Sequence, residues 1–527
     1  MRLFRAFCLF LPLKHASGGV AYLSPNGDDS SADNTVAMPY RSLSACAAAA
    51  GTGGTCIVMG GRYHAMEEVL TGLRGVTIAA AAGETPIFDG TLPLVAAWEP
   101  LGDGTYRAAV EPPSAVPAVP TDISGWACES WCQTNTADWV AKCAWSSRQC
   151  SLCPECPMPP GAPPLTPPSP PLSPGTLRVA PWQLFAGDAR EVVGVARWPD
   201  AQPWTTDAYD RDHKWRHFGP GTDHDTTGAG LIVDSAIEGG AIDTLAATDR
   251  SFQGCVAVLN NGHCEPSGLR THASPPLSRL GLSFIPLAAR VAGVTMASRV
   301  TMHERSSGNF TYNNPDCGRS CPGARYNDDG KGRYYMEACP AALTRENEWT
   351  YDLEQQHLLV RLPGGIDPST TSLHGKVSTW AIVLHDCANV TLQGLHFFAT
   401  TIGMFQSASV DVSTGERLGG NTVTGSTFDY STASFRPRSV VAELQPDQLP
   451  GYTAWSQWYP EGNTIFRIAG GAPMFFMCAQ TNCETNSRII NNMVRHTDSP
   501  AFVLINGDGD LIENNVLEHI DYAAVGP

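Results

Sequence analysis

Charge is scarce in this chain: Asp, Glu, Lys and Arg make up 16% of its 527 residues, against about 25% in an average globular protein. Long solvated helices and coiled coils need a charged face, so a helical bundle is excluded. Positive charge is the scarcer sign, with 34 Lys/Arg against 51 Asp/Glu, a net charge of −17 and no basic run. That excludes nucleic-acid binding through the phosphate backbone. The same field repels polyanionic glycans, so neutral sugars fit best, or acidic ones met by local basic residues or a bridging cation. Past the N-terminus no stretch approaches the ~18 apolar residues of a membrane helix. The motifs G-x-S-x-G, P-loop, Rossmann fingerprint and H-E-x-x-H are also missing, which removes serine esterase, NTPase, dehydrogenase and zincin readings.

Turn formers are plentiful, with 51 Gly and 41 Pro. Between them lie short β-rich runs such as Cys56 to Met59, Gly75 to Ile78, Ala381 to Leu384 and Asn389 to Leu392. One helix is expected, from Tyr40 to Ala50, with Ser42 as a cap before Leu43. Two arginines precede an apolar stretch from Ala6 to Leu13, which reads as a secretory signal over residues 1–18. Loss of Cys8 with that segment leaves sixteen of seventeen cysteines, an even number that suits an oxidising compartment. The sequons at Asn309 and Asn389 agree with secretion as a glycoprotein.

Six cysteines, Cys128, Cys132, Cys143, Cys150, Cys153 and Cys156, crowd one segment. Their spacing suits zinc or an iron–sulfur cluster, yet proline-rich sequence follows where a further ligand would be needed. A disulfide knot is the expectation. Ten of the eighteen residues from 157 to 174 are proline, which gives an extended spacer of about 55 Å. Cys46, Cys56, Cys478 and Cys483 are expected in disulfides too, and Cys317, Cys321 and Cys339 form a further group of loop staples.

An internal repeat carries the most information. Moving Ile489 to Asp498 forward by 23 residues superposes it on Ile512 to Asp521, with Ile, both Asn, His and Asp identical; Leu392 to Phe397 matches Val423 to Phe428 at a shift of 31. Periods of this length with short β runs and recurring Asn mark a β-solenoid. Equivalent residues of adjacent coils should then stack about 4.8 Å apart. Asn491 and Asn492 should lie over Asn514 and Asn515 as structural corner residues, since Asn tolerates a left-handed backbone.

The Asn-Asn rungs resemble right-handed parallel β-helix repeats of the pectin-lyase-like superfamily. The opening Tyr22 to Asp29, Met38 to Leu43 and Val58 to Tyr63 are similar to the first coil and capping helix of secreted carbohydrate-active β-helix proteins. Gly83 to Gly90, Ala196 to Asp200 and Asn347 to Pro363 extend the resemblance. It implies an all-β, right-handed parallel β-helix with inserted regions. The expected organisation is a signal at 1–18, N-terminal coils and capping helix at 19–111, a Cys- and Pro-rich insertion at 112–180, a β-rich satellite region at 181–374 and C-terminal coils at 375–527. Only fifteen residues follow Ile512, fewer than the preceding rung used. Further coils beyond Pro527 are therefore expected, with self-association through that edge in their absence.

Stacking also brings His496 over His519 and Asp498 over Asp521 on one face. Two carboxylates about 5 Å apart repel, which raises one pKa and suits an acid beside an ionised base or nucleophile. These four residues are the catalytic candidates, against the alternative of solvated turns and a wet surface. Asp508 and Asp510 sit in an acidic Gly-rich loop that suits Ca²⁺, although the EF-hand spacing is incomplete; otherwise no cofactor is required. Arg197, Trp198, Trp349 and Tyr351 are candidates for stacking on sugar rings, or else for packing the satellite region. The expected function is cleavage of glycosidic bonds in an extracellular or cell-wall polysaccharide, with hydrolysis preferred to elimination because the patch is rich in carboxylates. The alternative is a non-catalytic glycan-binding or cell-surface structural protein.

Overall fold

The structure, a computed structural model, describes residues 18–64, 68–110, 177, 181, 183–201, 216–218, 223–224, 229–235, 244–260, 264–265, 295–313, 325–326, 333–337, 339–352, 355–377, 380–431, 474–478, 483–497, 501–505 and 507–520. Residues 1–17 of the signal segment, the six-cysteine cluster, the proline spacer, Cys317, Cys321, Asp498 and Asp521 lie outside the described residues. What is described is nearly all β, with one α-helix and short 3-10 turns.

Two compact units divide the chain: Met1–Thr91, Ser378–Thr432 and Ala472–Pro527 form one, Leu92–Val377 and Ala433–Gly471 the other. The first unit holds three large parallel sheets and a short parallel pair, Cys483–Glu484 with Gly507–Asp508. In spatial order the first sheet contains Val20–Leu23, Thr55–Val58, Thr77–Ala80, Thr391–Gln393, Thr422–Thr424, Arg488–Ile490 and Leu511–Glu513. The second contains Gly61–His64, Pro86–Asp89, His396–Phe398, Thr427–Asp429, Met493–Thr497 and Val516–Ile520. The third contains Glu68–Thr71, Trp380–His385, Thr401–Gln406, Met474–Cys478 and Phe502–Ile505. The chain visits first, second and third sheets in turn and then starts the next round.

This order explains how distant segments become neighbours. Ile78 pairs with Leu392 and Phe88 with Phe397, so the strands flanking residues 92–377 in sequence are adjacent in the sheets. Both repeat shifts read from the sequence are sheet registers, Ile489 beside Ile512 and Leu392 beside Val423. Every second residue points inward, which builds columns of apolar side chains. Cys56, Ile78, Leu392, Val423 and Ile489 line the first sheet, and Tyr63, Phe88, Phe397, Phe428 and Val494 line the second. Burial of each large apolar side chain contributes about 1.5–3 kcal/mol. The rings of the second column stack at 5.3, 5.4 and 4.7 Å.

The corner between first and second sheets needs one left-handed residue per round. Gly394, Gly425, Asn491 and Asn514 supply it with φ of 68, 60, 58 and 53°, a conformation that Gly and Asn tolerate best. The residue after each corner bonds to the next round. Leu395 N donates to Ser426 Oγ, Ser426 N to Asn492 Oδ1 and Asn492 N to Asn515 Oδ1. Asn514 Nδ2 donates to Asn491 Oδ1 at 2.6 Å. The paired asparagines are thus structural: Asn492 and Asn515 satisfy backbone groups of the preceding round, and Asn491 and Asn514 bond each other.

Helix Leu43–Ala50 begins at its cap, because Ser42 Oγ accepts from Ala45 N, and ends at Gly51 with φ 70°. Leu43, Cys46, Ala47 and Ala50 form its buried stripe. The expected start at Tyr40 is three residues early, since Tyr40 is an extended residue bonded to Tyr22 O. Cys46–Cys56 and Cys478–Cys483 are disulfides. Cys339 pairs with Cys255 and not within its own sequence group, because these residues lie on or beside the neighbouring strands Val256–Asn260 and Arg333–Glu337. Cys387 is a free buried thiol that donates to Leu70 O and His385 O. An even cysteine count therefore does not translate into complete pairing.

The second unit is mainly antiparallel. One sheet runs through Leu184–Ala186, Glu191–Val195, Glu348–Asp352, His357–Arg361 and Tyr106–Ala109; another runs through Phe310–Asn313, Thr295–His303, Val256–Asn260 and Arg333–Glu337. No helix among the described residues is long and apolar enough to cross a membrane.

Candidate functional site

The outer face of the second sheet carries the densest polar chemistry described. Its inward column is apolar, so by the alternation of a strand the residues on either side of that column face outward. One outward column reads His64, Asp89, Phe398, Asp429, Arg495 and Glu518 across six adjacent strands. Three carboxylates thus share a face, Asp89 and Asp429 with Phe398 between them and Glu518 beyond Arg495. Two strand spacings separate Asp89 from Asp429, about 9.6 Å.

Asp89 and Asp429 are buried, each held by one Arg and one His. The Asp89 side chain is 0% exposed, and its Oδ2 accepts from Arg62 Nη1 at 2.7 Å with His64 Nδ1 at 3.7 Å. Its Oδ1 accepts from Thr91 N and Thr91 Oγ1. His64 Nδ1 also lies 3.1 Å from Thr91 O, an acceptor, so Nδ1 bears the proton. The Asp429 side chain is 6% exposed. Arg495 grips it through Nε on Oδ1 and Nη2 on Oδ2, both at 2.7 Å, and His396 Nε2 reaches Oδ2 at 3.0 Å. Burial alone would raise the Asp429 pKa, but the hydrogen bonds and charges of His396 and Arg495 outweigh it and hold the carboxyl below its usual range. Asp429 is an ionised acceptor, so His396 must donate through Nε2.

Beyond Asp429 the chain bends. Tyr430, His496 and His519 occupy equivalent positions with φ of 56, 55 and 53°, a left-handed backbone that costs a bulky residue about 1–2 kcal/mol. Their rings stack in a column, Tyr430 on His496 at 4.6 Å and His496 on His519 at 5.0 Å, with planes within 8° and 7°. The expected vertical register of the two histidines is therefore present.

Burial, aided by His519 and Arg495, depresses the His496 pKa against the opposing pull of Asp429 and Glu518. The unfolded chain then binds this proton more readily than the folded one. The His496 contribution to stability is full above the ordinary imidazole value of about 6.5 and is lost as pH falls below it. His496→Phe keeps a stacking ring without the titration. It should show a smaller drop in urea midpoint between about pH 7.5 and 5.5 than the wild type. Equal drops in the two proteins would refute the assignment.

The other candidates stand elsewhere. Trp349 and Tyr351 are 3% and 2% exposed, pack edge to face at 5.5 Å, and Tyr351 Oη donates to Pro181 O. Trp198 is buried against Phe252, and the Arg197 guanidinium lies 3.9 Å over the Tyr335 ring. None of these four presents a free face to a sugar, which corrects their assignment to substrate binding; they pack the second unit. Asp510 Oδ1 accepts from Thr485 Oγ1 and Ser487 N, and Asp508 Oδ1 accepts from Gly509 N. Those carboxylates organise a turn, and no group of three metal-ligating side chains occurs among the described residues. Asn389 is exposed, whereas half-buried Asn309 accepts from Asp234 N.

Sequence reading did not select Asp89, Asp429, His64, His396, Arg62 or Arg495. The available signal was the position of Asp429 directly before the second-sheet bend, which Arg495 occupies one round later.

No family model matches the chain, and no curated protein does. Two solved structures are similar to it. One, titled "Glycoside hydrolase", is 8% identical, with 94% of this chain and 96% of that chain covered and a TM-score of 0.40. The other, "The complex structure of XylC with xylose", is 11% identical, with 95% and 54% covered and a TM-score of 0.33. With TM-scores below 0.5, neither similarity bears on the chemistry of the second-sheet face.

Proposed function

We propose that the protein is a secreted right-handed parallel β-helix that hydrolyses glycosidic bonds of an extracellular or cell-wall polysaccharide along the outer face of its second sheet. The observation that carries this reading is the repetition of one Asp, one His and one Arg on that face, centred on Asp89 and again on Asp429. Their column spacing of about 9.6 Å far exceeds the ~5–5.5 Å of retaining glycosidases and falls just beyond the ~6.5–9.5 Å that leaves room for a water. Inversion by a water is therefore preferred to a covalent intermediate. Partial exposure of the Arg62, His64, His396 and Arg495 side chains, 31, 36, 21 and 36%, lets a glycan meet polar groups above buried carboxylates. Disulfides in both units favour an oxidising compartment and hence secretion. Hydrolysis on this face requires no cofactor, so Ca²⁺ is not needed.

One observation favours the alternative, a non-catalytic glycan-binding surface: both carboxylates are already saturated by protein donors. A panel of xylan, β-glucan, polygalacturonate and alginate separates the two. Wild-type protein should release reducing ends from at least one, equally with EDTA or added Ca²⁺, without unsaturated products. Asp429→Asn should lose activity about 100-fold or more with an unchanged circular dichroism spectrum. Binding to a panel member without any cleavage would establish the alternative.

A further inference from the structure

Resting on the hydrolytic reading, we infer that His396 is the proton acceptor of the site, with Nδ1 as the accepting atom and Asp429 as its positioning residue. Asp429 is poorly placed for that task. Its two oxygens already take three charge-assisted hydrogen bonds, two from Arg495 and one from His396. Accepting a proton would break a buried ion pair and cost the carboxylate its charge-assisted bonds.

The arrangement instead hands basicity outward. Because the carboxylate can only accept, His396 Nε2 carries the ring proton, and Nδ1 keeps a lone pair. That atom has no protein partner among the described residues and is not among the buried unsatisfied atoms. The ring is 21% exposed and its edge abuts Phe398 at 6.5 Å between centroids, which limits its rotation. When Nδ1 takes a proton, the resulting imidazolium lies against an ionised carboxylate, so its charge is stabilised where it forms.

The balanced step follows. A water gives one proton to His396 Nδ1 while its oxygen bonds to the anomeric carbon. The glycosidic C–O bond breaks, the departing oxygen takes a proton from solvent, and the imidazolium returns its own to solvent. No oxidant, reductant or metal enters.

His396→Gln tests this, because the amide nitrogen of Gln can replace Nε2 as donor to Asp429 but offers no basic atom. The variant should keep its thermal midpoint and lose kcat about 100- to 10,000-fold on the panel glycan that the wild type cleaves, with KM little changed. Selective ¹⁵N-histidine labelling, with the His396 signal identified by its absence in the variant, should show the Nε2–H tautomer at about pH 8. Asp429→Asn should blur that tautomer preference. If the wild type cleaves glycan while His396→Gln retains activity within about threefold, or if His396 carries its proton on Nδ1, the base assignment is overturned and the hydrolytic reading stands. If the wild type cleaves nothing, both fall.

Discussion

Phe397→Ala is expected to destabilise the parallel-sheet unit by about 3–5 kcal/mol, at the upper end for a single core truncation. Phe397 is fully buried in the second-sheet column, between Phe88 at 5.4 Å and Phe428 at 4.7 Å. Its ring is therefore stacked on both faces, and removal leaves a void whose walls belong to strands already hydrogen-bonded in register on each side. Such walls cannot close without breaking those ladders, so the cavity persists. His396 and Phe398 flank the residue and face outward, which ties the packing to the proposed chemistry. Native-state hydrogen exchange of the full chain should show faster opening of His396–Phe398 and Thr427–Asp429 than of strands in the second unit. A loss below about 1 kcal/mol would mean that the column repacks, and that its aromatic stacking adds little to the fold.

The same strand shows which parts of the architecture are readable in sequence. Rounds separated by short connections leave a local fingerprint, so the shifts of 23 and 31 residues correspond to the registers of Ile489 with Ile512 and Phe397 with Phe428. Phe88 is also a direct neighbour of Phe397, yet a long stretch of sequence lies between them. A pairing unit of only three residues at a large and irregular offset carries too little information to stand out. Corner chemistry was legible for a different reason: αL backbone restricts residue choice, and Asn491 and Asn514 bear that restriction in their identity.

Function was less legible because burial and partners are non-local. Asp429 draws His396 from the preceding round and Arg495 from the following one, so no spacing within a motif marks it. The histidine pair was visible because its repeat is exact in residue type. Its stack with Tyr430 was not, since Tyr and His share a position through backbone geometry and not through identity. Alternation places Trp349 and Tyr351 on one side of their strand, and they do share a side. It cannot tell an inner side from an outer one; that is decided by Ala108, Leu358 and their neighbours in the second unit's core.

Asp234→Ala should destabilise the second unit by about 3–5 kcal/mol, because it removes the carboxylate that pairs with a buried cation. The Arg216 and Asp234 side chains are both 0% exposed, and Arg216 binds Oδ1 through Nε at 3.0 Å and Nη2 at 2.7 Å. Tyr334 Oη adds a 2.6 Å bond to the same oxygen, while Oδ2 accepts from Leu245 N at 2.8 Å. Burial first, and then the Asp234 charge, push the Tyr334 phenol well above its usual range, so it remains a donor. Alanine would leave a guanidinium, a phenol and a backbone N–H without that acceptor, whereas Asp234→Asn retains an acceptor oxygen and should cost less. Arg216→Met removes the cation and leaves Asp234 its bonds from Tyr334 and Leu245. Combining it with Asp234→Asn should cost less than the two single changes added together, because the second change no longer breaks a charge pair. Urea midpoints of the wild type and the four variants decide the matter. Additive costs, or a loss below about 1 kcal/mol for Asp234→Ala, would show that water reaches the pair and that its charges are not confined to the protein interior.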